Sequence, residues 1–239
     1  MSDLSKLRAR LERLHARLVD LSHWPWRERG DDPYHKVFVE FVQAVQAMNG
    51  PTILELGSRN VSGVLRRDLF PNVGHYIGMD IHPGEGVDLV GDAHRMSELV
   101  EPGSIDALFS ISVFEHLVYP WKAVLEINRV LKPGGLLFIS THPTWPAHEL
   151  PWDFWRFPVA GLAHLFIQET GFELVRATEG LPARAYSLVA DPPTRGLYNF
   201  RLNQGVSLIA RKVGEYDTEK LRWDIDVAQV VRSEYPPPR

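Results

Sequence analysis

Two groups of side chains in this 239-residue chain are of types that do chemistry. The first is rich in histidine. FEHL supplies Glu115 and His116, and THPTWPAHELPWDFWRFP, residues 141–158, supplies His142, His148, Glu149, Asp153 and Arg156 among Trp145, Trp152, Phe154, Trp155 and Phe157. A histidine set against a hydroxyl can take its proton, an effect of about 10²–10⁴-fold. His142 is the first candidate base, with His116 and His148 behind it, and Glu115 or Asp153 would orient whichever acts. One such histidine alone is more often a hydrogen-bonded loop residue, but several on adjacent strand ends are harder to explain that way. The second group is acidic. Glu55, Asp80 and Asp92 close or follow the apolar runs TILE, YIGMD and DLVG, and Gly57 comes just after the first. A carboxylate behind a second strand can accept both hydroxyls of a ribose, each charge-assisted bond contributing about 1.5–3 kcal/mol. Gly57 lets the backbone pass close to a ligand because no Cβ intervenes.

A sheet has to carry these groups. TILELG, HYIGMDI, ALFSISV and GLLFIST are short apolar runs rich in branched residues, separated by intervals of helix-plus-loop length, and DLVGDAH is a weaker run between the second and third. Such alternation implies a parallel sheet covered by helices on both faces, with ligands at the carboxyl ends of its strands. FELVRATEG and GVSLIARKV add two strands, joined by a long Pro- and Gly-containing stretch over residues 180–205. Ahead of the sheet, residues 35–48 keep helical spacing through Val37, Phe41, Val45 and Met48 until Asn49-Gly50-Pro51 stops them. Leu4, Leu7, Leu11, Leu14, Leu18 and Leu21 form a seam of two to three heptads. That seam is either an amphipathic helix lying on its own domain or the contact of a homodimer. The chain therefore divides into an N-terminal helical cap with this helix (1–49), an α/β domain (50–214) and a tail with a final short helix and a Pro-rich end (215–239).

The totals exclude several classes. A net charge of −4 gives no overall basic field for nucleic acid or an anionic membrane. No apolar run approaches the roughly 20 residues of a membrane helix. The absence of cysteine rules out disulfides and thiolate metal sites. The start, MSDLSKLRAR, is charged and has no signal-peptide core. A soluble, cytoplasmic protein is expected.

Taken in order, ILELG, GMDIHP, VGDAHRM and SVFEHLVYPWKAVLEINRVLKPGGLLFIST resemble the class I S-adenosylmethionine-dependent methyltransferases, over roughly residues 50–213. The resemblance implies a Rossmann-like α/β fold: a seven-stranded, mostly parallel sheet with an antiparallel last strand, helices on both faces and an N-terminal helical cap. It also implies S-adenosylmethionine as cofactor. Glu55, Gly57, Ser58 and Asn60 would line its first loop, Asp80 and Ile81 the ribose step, Asp92 and Ala93 the adenine step, and Ser112 the end of the fourth strand. A nicotinamide dehydrogenase would prefer G-x-G-x-x-G after the first strand, and only Gly57 of that triplet is present. Many members have a second glycine where this chain has Arg59. Asn60 is then expected to make the left-handed turn, and Arg59 to point outward or to an acidic partner.

The acceptor would face the residues after the fourth and fifth strands. WDFWRF resembles a stretch of methyltransferases from surface- and storage-polysaccharide pathways. Trp145, Trp152, Trp155, Arg156 and Tyr34 are accordingly expected to touch the acceptor, with WPWRERGDDPYHK folded over the cofactor and His35 beside Tyr34. The expected function is O-methylation of a saccharide hydroxyl, as on a mannose-type oligosaccharide. A small aromatic or lipid natural product is the alternative acceptor, and RNA lacks the basic stripe it would need. A non-catalytic cofactor-binding module that dimerises through the leucine helix is the alternative of a different class. Some members also hold a divalent metal through an acid-x-x-Glu-His segment and a later histidine. The resemblance places Glu115, His116 and His148 there, with Mg²⁺ as the ion. Ser112 stands where the first acid would be, and magnesium prefers oxygen ligands.

Overall fold

The computed structural model describes residues 3–23, 32–189 and 191–221. Residues 24–31 of the segment WPWRERGDDPYHK expected to close over the cofactor, and the tail from residue 222 with its expected short helix, lie outside the described residues. Helix α1 (Asp3–His23) forms where the leucine seam predicts it, and its six seam leucines are exposed. Among the described residues no helix is long and apolar enough to cross a membrane.

The rest is built on one sheet. Its strands are β1 (Thr52–Leu56), β2 (His75–Asp80), β3 (Leu89–Val90), β4 (Ile105–Ile111), β5 (Leu131–Thr141), β6 (Phe172–Ala183) and β7 (Leu202–Lys212), in the spatial order β3-β2-β1-β4-β5-β7-β6. The first five pair in parallel, and β7 runs antiparallel to both β5 and β6. Strand order reverses between β1 and β4, so the crevice for a ligand lies at their carboxyl ends.

Alternation along the strands feeds two cores. Leu54 and Leu56 of β1, Leu108 of β4, and Leu137 and Ile139 of β5 face one side, where α3 (Pro120–Val130) and α4 (Val159–Ala163) add Ala123, Val124, Ile127 and Leu162. Ile53, Ala107, Phe109, Leu136 and Phe138 face the other side, against Val37, Phe41 and Val45 of α2 (Pro33–Gln46). Full burial of each large side chain contributes about 1.5–3 kcal/mol.

The expected helix between every pair of early strands does not form. The link from β1 to β2 holds only a 3₁₀ turn at Arg66–Leu69, and the link from β3 to β4 one at Ala93–Glu98. VSGVLRRDLFPNVG carries Gly63, Pro71 and Gly74, which break any helix of useful length. Phe70 fills the gap instead. It is buried, with its ring centroid 5.6 Å from Phe109 and 6.1 Å from Tyr76.

Candidate active site

The acids after the early strands have different fates. Asp80 ends β2 and accepts from the His82 N–H (2.9 Å, Oδ1) and the Arg59 N–H (3.3 Å, Oδ2). Arg59 turns its guanidinium to the same carboxylate, with Nε 3.6 Å from Oδ1. Ile81 beside it is exposed. Asp92 caps the 3₁₀ turn that follows β3, with Ala93 buried next to it. Burial pushes the Asp92 carboxyl up, but hydrogen bonds from the His94 backbone and ring outweigh it and hold the group below its usual range. Glu55 sits inside β1 and is spent there. Oε2 accepts from Tyr76 Oη at 2.6 Å and Oε1 from Arg66 at 3.3 Å. Burial pushes the Glu55 carboxyl up, and burial with the Glu55 charge pushes the Tyr76 phenol up.

Gly57 leaves β1 with φ +84°, and its N–H donates to the Met79 carbonyl at 2.8 Å. The left-handed turn expected at Asn60 is made by Gly57 and again by Gly63, and Asn60 is not left-handed. Its backbone and side-chain N–H groups both go to Glu85, at 2.9 and 2.7 Å, a pairing that needs no glycine-like backbone. Ser58 Oγ and Asn60 Oδ1 are buried without a hydrogen-bond partner. Buried polar atoms are rarely left so, and both belong to the loop that follows β1.

The histidine group assembles after β4 and β5. His142 Nδ1 lies 3.0 Å from the Gln204 carbonyl, which fixes its proton there and leaves Nε2 as a lone pair in the neutral ring. Nε2 lies 3.3 Å from Ser112 Oγ and 3.4 Å from Glu115 Oε1. Ser112 holds this place with φ +55°, a strained backbone for a serine. Glu115 is fully buried. Thr141 Oγ1 donates to its Oε2 at 2.7 Å, while its Oε1 has no hydrogen-bond partner. His116 and His148 each point Nδ1 at a carbonyl, that of Trp152 at 2.6 Å and that of Pro146 at 3.1 Å. Both Nε2 atoms are thereby left as ligands. One donor atom each from Glu115, His116 and His148 lies within 4.8 Å of the others.

The aromatic segment divides into working and structural parts. Trp145 stacks on His142 with centroids 4.7 Å apart, and Trp145, Trp152 and Phe154 are exposed. Trp155 is partly buried in the core, with Nε1 bonded to the Leu117 carbonyl at 2.8 Å. Tyr34 donates to Ser140 Oγ at 3.2 Å and packs its ring against Gly205. Arg156 forks onto Asp153 at 2.6 and 2.7 Å and also donates to the carbonyls of Trp145, Pro146 and Trp155. It ties the loop closed and has little left for an acceptor. Asp153 also accepts the His148 backbone N–H at 2.9 Å.

Arg156 holds the Asp153 carboxyl well below the usual carboxylate range, against the upward push of burial. A carboxyl depressed on folding stabilises the fold above its unfolded pKa of about 3.9 and loses that effect as pH falls through the folded value. The urea midpoint should therefore drop more steeply below about pH 4 in the wild type than in Arg156→Met, which starts lower at pH 7. Parallel curves for the two proteins would remove the linkage.

Sequence reasoning missed Thr141, Gln204 and His94. Thr141 and His94 are visible beside singled-out residues, one just before His142 and one two places after Asp92. Gln204 acts through its carbonyl, for which no side-chain signal exists.

Known proteins resemble this chain in the same region. A family model described as a methyltransferase domain matches residues 54–139. A ubiquinone biosynthesis O-methyltransferase of Nitrosococcus oceani is 26% identical over 143 residues, 53% of this chain and 60% of that protein. A 2-methyl-6-phytyl-1,4-hydroquinone methyltransferase of Synechocystis is 28% identical over 174 residues, 59% of this chain and 49% of that protein. The chain thus spans about half the length of these relatives. A SAM-dependent methyltransferase structure from Archaeoglobus fulgidus superposes with a TM-score of 0.53 over 75% of this chain and 94% of that one, at 15% identity, and agrees in fold. The residues matched by the methyltransferase-domain model hold the end of β1, all of β4 and the crevice between them, and the sheet has the fold of known S-adenosylmethionine-dependent methyltransferase structures.

Proposed function

We propose that the protein O-methylates one of two neighbouring hydroxyls on a saccharide. The observation that carries this reading is His142 Nε2, left free by the Gln204 carbonyl and set 3.4 Å from the buried Glu115 carboxylate. Gly57, Ser58, Asp80, Ile81, Asp92 and Ala93 would hold S-adenosylmethionine, and the unpartnered Ser58 and Asn60 oxygens fit a polar ligand there. When bound, the cofactor supplies a methyl group on a sulfonium sulfur. His142 Nε2 would take the proton of the acceptor hydroxyl and so leave its oxygen nucleophilic. Glu115 then faces an imidazolium and balances its charge.

The same reading extends to a divalent ion at Glu115, His116 and His148. The unpartnered Glu115 Oε1 and the two fixed tautomers fit one. Two imidazoles and a carboxylate suit manganese, iron, cobalt or zinc better than magnesium. Such an ion would supply a Lewis acid for the hydroxyl beside the one that reacts.

A second reading takes a diphenol as acceptor. It is favoured because Arg156, Asp153 and the Trp155 N–H, all suited to sugar hydroxyls, are spent within the loop, leaving the flat faces of Trp145, Trp152 and Phe154. The names of the two relatives point the same way. Release of S-adenosylhomocysteine should be followed with mannosides and with catechols and hydroquinones, each with and without EDTA. Turnover with mannosides that EDTA abolishes is expected. Turnover with diphenols alone replaces the saccharide, EDTA-insensitive turnover removes the ion, and no turnover with any hydroxyl acceptor sinks the proposal.

A further inference from the structure

His94 takes no part in the acceptor chemistry above, yet it joins two of the loops that form the crevice. We infer that His94 is a positioning residue: it fixes Asp92 for the adenine end of the cofactor and ties that acid to the segment carrying the acceptor residues. The inference rests on the reading that Asp92 meets the cofactor.

Asp92 Oδ1 accepts twice from His94, from the backbone N–H at 2.9 Å and from ring Nδ1 at 2.6 Å. Oδ2 takes no hydrogen bond among the described residues, so it is the oxygen left to accept an exocyclic N–H from a ligand. On the far side of the ring, Nε2 accepts the Tyr119 backbone N–H at 3.2 Å. That acceptor role requires a neutral ring with its proton on Nδ1, which is the tautomer that donates to Asp92. The two bonds therefore select one ring state and one orientation.

Tyr119 is the residue before α3, and no side chain caps that helix start. His94 is its acceptor instead. The backbone that reaches Tyr119 also carries Ser112, Glu115 and His116, and the Leu117 carbonyl within it takes Trp155 Nε1. The path Asp92–His94–Tyr119 thus runs from the loop after β3 to the loop after β4. Tyr119 also packs edge-on to the His94 ring, with centroids 6.3 Å apart. An apolar residue of similar size would keep that packing and lose both bonds.

The test compares two substitutions. Phenylalanine can pack but cannot bond, whereas glutamine can donate its amide to Asp92 and accept from Tyr119. Calorimetric titration with S-adenosylhomocysteine should show His94→Phe about tenfold weaker than wild type, and His94→Gln within about threefold of it. KM for S-adenosylmethionine should rise in His94→Phe with kcat at saturating cofactor unchanged. Asp92→Asn should also bind more weakly, and the double variant no worse than Asp92→Asn, because both changes cut one unit. If His94→Phe does not fold, His94→Leu makes the same comparison. Wild-type affinity in His94→Phe beside weakened Asp92→Asn, or additive losses in the double variant, overturns the inference. Wild-type affinity in Asp92→Asn overturns the cofactor reading of Asp92 and the inference with it.

Discussion

His142→Gln will lower kcat by about 10²–10⁴-fold and leave S-adenosylhomocysteine affinity unchanged. Glutamine can still donate to the Gln204 carbonyl, so the start of β7 keeps its partner, and the change removes only the basic lone pair at Nε2. His142 is favoured over the two other histidines for a geometric reason. Its free nitrogen faces both Ser112 Oγ and Glu115 Oε1 and lies at the carboxyl end of β5, next to the strand-order reversal. His116 and His148 instead each bring one ring nitrogen within 4.8 Å of the other's and of a Glu115 carboxylate oxygen, a spacing that suits ligands. The same substitution at His148 should therefore change the metal content of the purified protein more than it changes kcat per bound ion. A His142→Gln enzyme within threefold of wild-type kcat would end its assignment as base.

Parts of this layout can be read from the chain, and the limits have physical causes. TILELG, HYIGMDI and ALFSISV announce strands because their apolar runs are short, branched and bounded by turn residues, and a strand forms at each, over Thr52–Leu56, His75–Asp80 and Ile105–Ile111. The missing helix after β1 is hidden because Val64, Leu65, Leu69 and Phe70 imitate a helical stripe, and only the spacing of Gly63, Pro71 and Gly74 argues against it. Glu55 and Asp80 look equivalent, each an acid near a strand end. They separate because Tyr76 and Arg66 satisfy Glu55 with side chains inside the sheet, whereas Asp80 is met at the sheet end by the backbone N–H groups of His82 and Arg59. Arg156 and Asp153 mislead similarly. Charged residues among tryptophans look like a binding surface, but a separation of three places lets them pair with each other. Local pattern reports the element a residue sits in, and long-range partners decide whether its charge is still available.

Gly57→Ala should weaken S-adenosylhomocysteine binding by about tenfold or more, a loss of at least about 1.4 kcal/mol, and should lower Tm as well. Two separate terms produce the effect. The backbone at Gly57 has φ +84°, a region that costs an L-residue roughly 1–2 kcal/mol. A Cβ there would also fall 2.2 Å from Val113 Cγ2, far inside van der Waals contact. Val113 follows Ser112, so the clash falls where the loop after β1 meets the loop after β4. The two terms can be parted. In Gly57→Ala/Val113→Ala the contact is removed and the nearest atom of residue 113 is its Cβ, 3.6 Å away, while the backbone strain stays. The double variant should recover part of the lost affinity and remain about 2–8 °C below wild type in Tm, the shift expected of 1–2 kcal/mol in a chain of this size. Full recovery would show that crowding alone fixes glycine at this position. No recovery would place the whole requirement in the left-handed backbone. Wild-type affinity in the single variant would mean that the close approach of the two loops plays no part in holding the cofactor.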